Sequence, residues 1–97
     1  MRVIAKKILR EFWSKQTDSE EQLKTWYRET TNAAWASPAE IKSHYAKGSI
    51  LKNGRVEFNI VGNKYRLVVQ VNYKRGWVFI RFIGSHTEYE NINADRI

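Results

Sequence analysis

The hydrophobic period of this 97-residue chain changes once, at Ser49, and that change decides its architecture. Upstream, apolar residues recur every three to four positions, the spacing of one buried helix face. Downstream they alternate, as on a strand with one side in a core. A helical half followed by a stranded half predicts an α+β fold in which helices cover one face of a sheet.

In the first half, Arg2 to Ile4 form a short N-terminal strand, and Ile4, Ile8, Leu9 and Phe12 then trace the buried face of a first helix, with Lys6, Lys7, Arg10 and Lys15 largely opposite. Thr17-Asp18-Ser19 is a break plus N-cap, in which Asp18 with Glu21, or Ser19 with Gln22, has capping-box spacing. A second helix runs from about residue 19 to 34, burying Leu23, Trp26, Tyr27, Thr30, Ala33 and Ala34. Ser37 as N-cap and Pro38 in the first position open a short third helix that ends by His44-Tyr45. Trp13, Trp26 and Trp35 are read as core.

In the second half, Ser49 to Lys52 and Arg55 to Val61 are strands joined by Asn53-Gly54, a strong hairpin signal. Gly62-Asn63 turns the chain into Lys64 to Tyr73, and Lys74-Arg75-Gly76 turns it again into Trp77 to Gly84. Three tight turns make these four strands an antiparallel meander, with the first two helices on one face. Residues from about Asn91 are expected to fray. Residues 1–97 are read as one domain, because cores divide only in much longer chains.

Composition removes several kinds of function. The chain has no cysteine, which excludes disulfide frameworks, zinc ribbons and thiol nucleophiles. A metal site would depend on His44, His86 and carboxylates, and none is expected, nor any other cofactor. The first residues contain no apolar leader segment and no stretch approaches a membrane span, so a cytoplasmic protein without membrane contact is expected. With 17 Lys plus Arg against 10 acidic residues, the net charge is +7, which attracts polyanions.

Chemistry gathers at the end of the last strand. Arg81 interrupts the apolar run Trp77 to Ile83, as Arg66 does on the preceding strand, and a guanidinium there needs a partner or a wet cleft. Gly84-Ser85-His86-Thr87-Glu88-Tyr89-Glu90 follows, and as one helical turn it would set His86 and Tyr89 on the same side. Phosphodiester cleavage by a ribose 2′-hydroxyl needs proton transfer and cations on the phosphate, not a metal or protein nucleophile. Arg66, Arg81, His86 and Tyr89 are therefore the candidate catalytic set, and Lys64, Lys74 and Arg75 the candidate RNA contacts. The competing readings are a capping or surface role for His86 and pairing of Arg66 and Arg81 with Glu57 or another carboxylate.

Two stretches, Asn59 to Val69 and Val78 to Glu90, closely resemble the HigB family of toxin–antitoxin mRNA interferases, and Trp35, Ser37 to Lys42 and Ser49 to Leu51 fit the same pattern. Ser85 replaces an expected threonine and Glu90 an aspartate, both conserving chemical type. The resemblance implies a RelE-like fold, ribosome-associated mRNA cleavage that inhibits translation, and neutralisation by a HigA-type helix-turn-helix antitoxin. It implies contact with operator DNA only through the antitoxin complex. By motif position it maps the family's basic strand residues to Lys64, Arg66 and Arg81, and its histidine and tyrosine to His86 and Tyr89. His44 lies outside the shared pattern. A non-catalytic module that blocks translation by occupying RNA or the ribosome is the alternative.

Overall fold

The structure, a computed structural model, describes residues 1–97. Its order is β1 (Arg2–Ile4), α1 (Lys6–Lys15), a 3-10 turn (Thr17–Ser19), α2 (Glu20–Asn32), α3 (Pro38–His44), β2 (Ser49–Ile50), β3 (Arg55–Ile60), β4 (Tyr65–Asn72), β5 (Trp77–Ser85) and α4 (His86–Glu90). The strands form one sheet in the order β1-β5-β4-β3-β2.

Strands β2 to β5 are the expected antiparallel meander. The sheet as a whole is mixed, because β1 pairs in parallel with β5, Val3 opposite Val78. Tight turns dictate antiparallel neighbours only between consecutive strands, and β1 is separated from β5 by helices α1 to α3 and strands β2 to β4. Asn53 and Gly54 both take positive φ, as their hairpin requires. At the next turn the positive-φ positions are Val61 (φ 53) and Gly62 (φ 63), one residue earlier than Gly62-Asn63. A β-branched residue in that region is strained.

Helices α1 and α2 cover one face of the sheet. Leu9, Trp13, Leu23 and Trp26 pack against Val56, Phe58 and Ile60 of β3, Leu67, Val69 and Val71 of β4, and Val78 and Ile80 of β5. Trp35, Ile41 and Tyr65 complete this core. Ile8, expected inside, is 39% exposed, because the buried stripe of α1 follows Leu9, Phe12 and Trp13. The expected capping boxes at Asp18 and Ser19 do not form. The Ser19 hydroxyl donates to the Gln16 carbonyl, Asp18 turns to Lys64 and Tyr65, and Gln22 accepts the Val61 amide. Ser37 stands at the N-cap of α3 without a side-chain cap bond, and Glu40 reaches back to the Ala36 amide instead.

The other face of the sheet carries no long helix. It bears Arg55, Glu57 and Asn59 from β3, Arg66, Val68, Gln70 and Asn72 from β4, and the β5 residues opposite them. Strand β5 has a bulge: Val68 faces Phe82 while Val69 faces Ile80, so Arg81 has no cross-strand partner. Alternation from Trp77 and Phe79 already puts Arg81 on the open face; the bulge adds Phe82 and Gly84 to that face and returns Ile83 and Ser85 to the core side. Residues after Asn91, expected to fray, are tied to the β2–β3 hairpin. Asp95 accepts the Lys52 amide at 2.9 Å, and Arg55 donates to the Ile97 oxygen.

Candidate functional site

Arg66 is the centre of a polar cluster on the open face. Register places it opposite Asn59 on β3 and Gly84 on β5. Its Nη1 donates to Asn59 Oδ1 at 2.9 Å and to Glu57 Oε1 at 3.2 Å. Glu57 is 1% exposed, so this ion pair lies inside the protein, where its geometry is fixed from below. Arg66 Nε is also buried, with no partner.

Helix α4 brings the remaining groups to Arg66. Ser85 caps it: its hydroxyl accepts the Glu88 amide while Glu88 accepts the Ser85 amide at 2.8 Å. That reciprocal cap holds the Glu88 carboxyl below its ordinary range. The His86 amide also donates to the Lys64 carbonyl, fastening α4 to the start of β4. Gly84 lets Phe82 and Glu88 pack closely here, since a Cβ on it would lie 2.6 Å from the Phe82 ring and 3.1 Å from the Glu88 carboxylate, and those side chains would have to move.

This docking sets His86 Nδ1 2.9 Å from Arg66 Nη2 and His86 Nε2 2.7 Å from Glu90 Oε1. A guanidinium only donates, so Nδ1 accepts, and Nε2 carries the proton that Glu90 receives. The Arg66 guanidinium lies over the Tyr89 ring, 5.5 Å from its centroid, and Phe82 packs beside that ring at 6.4 Å. Burial, first, and the Glu57 charge raise the Tyr89 hydroxyl above the usual tyrosine range, with Arg66 opposing. Tyr89 is therefore a proton-bearing donor near neutral pH.

Arg66, His86 and Tyr89 thus converge, while Arg81 binds elsewhere. Its Nε and Nη2 both donate to Gln70 Oε1, at 3.2 and 2.7 Å, and it lies over the Phe79 ring. Gln70 is four residues from Arg66 along β4, or about 13 Å at about 3.3 Å per residue. The Lys64 ammonium pairs with Asp18, drawn away toward the helical side. Lys74 is exposed in the β4–β5 turn, and Arg75 beside it stacks over Trp77 at 5.0 Å.

Several partners escaped the sequence reading. Asn59 and Gln70 have no motif and are found only through strand register. Glu90 was legible as a histidine partner, since it stands at i+4 from His86. On the helical side, a cleft of about 640 Å³ is lined by Trp26, Glu29, His44 and Tyr45 among others. None of Arg66, Arg81, His86 or Tyr89 lines it. There the Tyr45 hydroxyl donates to Glu29 at 2.7 Å, and His44 is 3.6 Å from the same carboxylate. No three His, Asp or Glu side chains converge into a metal-binding group, and no helix is long and apolar enough to cross a membrane.

Residues 19–92 match the family HigB_toxin, described as the RelE-like toxic component of a toxin-antitoxin system. The chain belongs to the HigB toxin family. The match spans most of the chain and includes α2, the whole meander and α4, so every member of the Arg66 cluster lies inside it. Helices on a five-stranded mixed sheet agree with the RelE-like fold of that family. Membership of a toxin–antitoxin family implies an antitoxin partner for this HigB-family toxin. No curated protein matches the chain.

Proposed function

We propose that this HigB-family toxin is an RNA endonuclease that cuts messenger RNA on the ribosome, with the single domain 1–97 holding all the groups it needs. The observation that carries this reading is the Arg66–His86 contact at 2.9 Å, anchored beneath by Glu57 and roofed by Tyr89. A cation that binds phosphate and a proton-transfer group stand within one phosphate's reach of each other.

In the reaction, the ribose 2′-oxygen attacks the adjacent phosphorus and the 5′-oxygen of the next nucleotide leaves. The products are a 2′,3′-cyclic phosphate and a 5′-hydroxyl. The scissile phosphate takes Arg66 through charge-assisted hydrogen bonds, which draws the guanidinium from His86 Nδ1 and frees that lone pair. His86 then takes the 2′-hydroxyl proton at Nδ1, and the imidazolium so formed returns a proton from Nε2 to the leaving 5′-oxygen, directly or through water. Tyr89, protonated, donates to a phosphate oxygen or stacks on a splayed base. Arg81, released from Gln70, and Lys64, Lys74 and Arg75 bind flanking phosphates. A HigA-type antitoxin neutralises the toxin, and operator DNA is reached through that complex alone. The site of action is the cytoplasm.

Inducing wild type and His86→Ala separately in growing cells and mapping mRNA 5′ ends tests this. New ends inside reading frames for wild type, lost in a folded variant, are expected. Arrested growth with intact transcripts would overturn cleavage and leave a module that acts by occupancy.

A further inference from the structure

The open face of β5 carries an alternation that the Arg66 cluster does not use. Arg75 lies over the Trp77 ring at 5.0 Å, Trp77 meets Phe79 edge-on at 5.9 Å, and Arg81 lies over Phe79 at 5.4 Å. Trp77 and Phe79 are both partly exposed, whereas Val78 and Ile80 between them face the core at 0% and 4% exposure. The core is complete without the two rings, since the helices pack on the other side. Arg2 is exposed and paired with Trp77 across the β1–β5 ladder, which adds a third guanidinium to the same end. Neither β1 nor β5 contains a carboxylate.

We propose that the open face of β5, from Arg75 to Arg81, is a stacking track for single-stranded RNA, with Trp77 and Phe79 taking bases and the flanking arginines taking phosphates. The proposal deepens the endonuclease reading and rests on it for the identity of the ligand. Two flat rings, each beneath a guanidinium, suit a strand that presents a planar base and an anion per unit. An acidic peptide would use the arginines and leave the rings idle. Bases stack on aromatic faces whatever their sequence, and arginine supplies both charge and a second stacking plane. The track runs along the strand that ends in α4, so RNA lying on it continues toward Arg66 and His86. Trp77 and Phe79 are positioning residues: they hold the strand and touch no reacting atom.

The test is binding of a short 2′-O-methyl strand, which lacks the nucleophile and cannot be cut, by fluorescence anisotropy at several salt concentrations. Trp77→Ala and Phe79→Ala are each expected to weaken binding about tenfold without changing the salt slope, and Trp77→Phe to restore most of it. Arg75→Ala is expected to reduce the slope by roughly 0.7, one phosphate contact. On an abasic strand of equal charge, the aromatic variants should bind as wild type does. Unchanged affinity in both aromatic variants, or equal losses on base-bearing and abasic strands, would overturn the track. Cleavage of unmodified RNA is scored separately, so absence of scission removes the endonuclease reading while the affinities still decide the track.

Discussion

The Glu57 carboxylate, buried beneath the sheet's open face, holds the Arg66 guanidinium at 3.2 Å and so fixes the one cation that also touches His86. Removing one partner of a buried pair leaves the other uncompensated. Glu57→Ala is expected to destabilise the fold by about 3–5 kcal/mol, and Glu57→Gln, which keeps a hydrogen-bond acceptor, by less. Urea denaturation measures both. Since the Glu57 charge helps to raise Tyr89, Glu57→Gln should also let the Tyr89 phenol ionise at lower pH, visible in an ultraviolet titration.

Arg66→Lys separates charge from shape. Lysine keeps the positive charge but cannot reach Glu57, Asn59 and His86 in one plane. Cleavage is expected to fall about 100-fold or more, close to Arg66→Ala. Near-normal cleavage by Arg66→Lys would mean that a point charge suffices.

Acid should loosen the junction between the helical side and the start of β4. The hydrogen bond from Lys64, then that from Tyr65, holds the Asp18 carboxyl below its ordinary value of 3.8. A carboxyl lowered in the folded state stabilises the protein above its unfolded value and loses that contribution as pH falls through the folded one. The Tm advantage of wild type over Asp18→Asn is therefore expected to hold above about pH 4 and to shrink below it.

Val61 occupies left-handed backbone at φ 53, where a β-branched side chain clashes with its own peptide. Val61→Asn should relieve about 1 kcal/mol, less whatever the half-buried valine side chain contributes. A rise in Tm of a few degrees by calorimetry is the expected reading.

The fold was legible wherever one strong period or turn signal acted alone. Asn53-Gly54 and the alternation of β4 sufficed for the meander. The parallel pairing of β1 was not legible, because three residues carry no usable period and the partner lies at the far end of the chain. Phase within β5 was equally hidden. The bulge at Arg81 inserts one residue into the alternation, and nothing in Phe79 to Ile83 marks it. Among the candidate site residues, Arg66, His86 and Tyr89 were singled out through chemistry and family resemblance, and the structure brings these three together. Glu57 entered only as a competing partner for Arg66, and the structure forms that pair at 3.2 Å while Arg66 also reaches His86. Arg81 binds Gln70 diagonally, from two residues beyond its cross-strand partner Phe79, so that contact needed the β4–β5 register, which spacing alone does not fix.

The edges of the sheet have a further consequence. The outermost strands are its shortest, three residues in β1 and two in β2, while β4 and β5, with eight and nine, lie inside. Unpaired backbone is what lets sheets of separate molecules join and grow, and each rim strand offers little of it. The ladders of β1 and β2 cover only Trp77 to Phe79 of β5 and Val56 to Glu57 of β3, so each outer edge is stepped, and a second copy of this chain meets an interrupted edge in place of one long ladder.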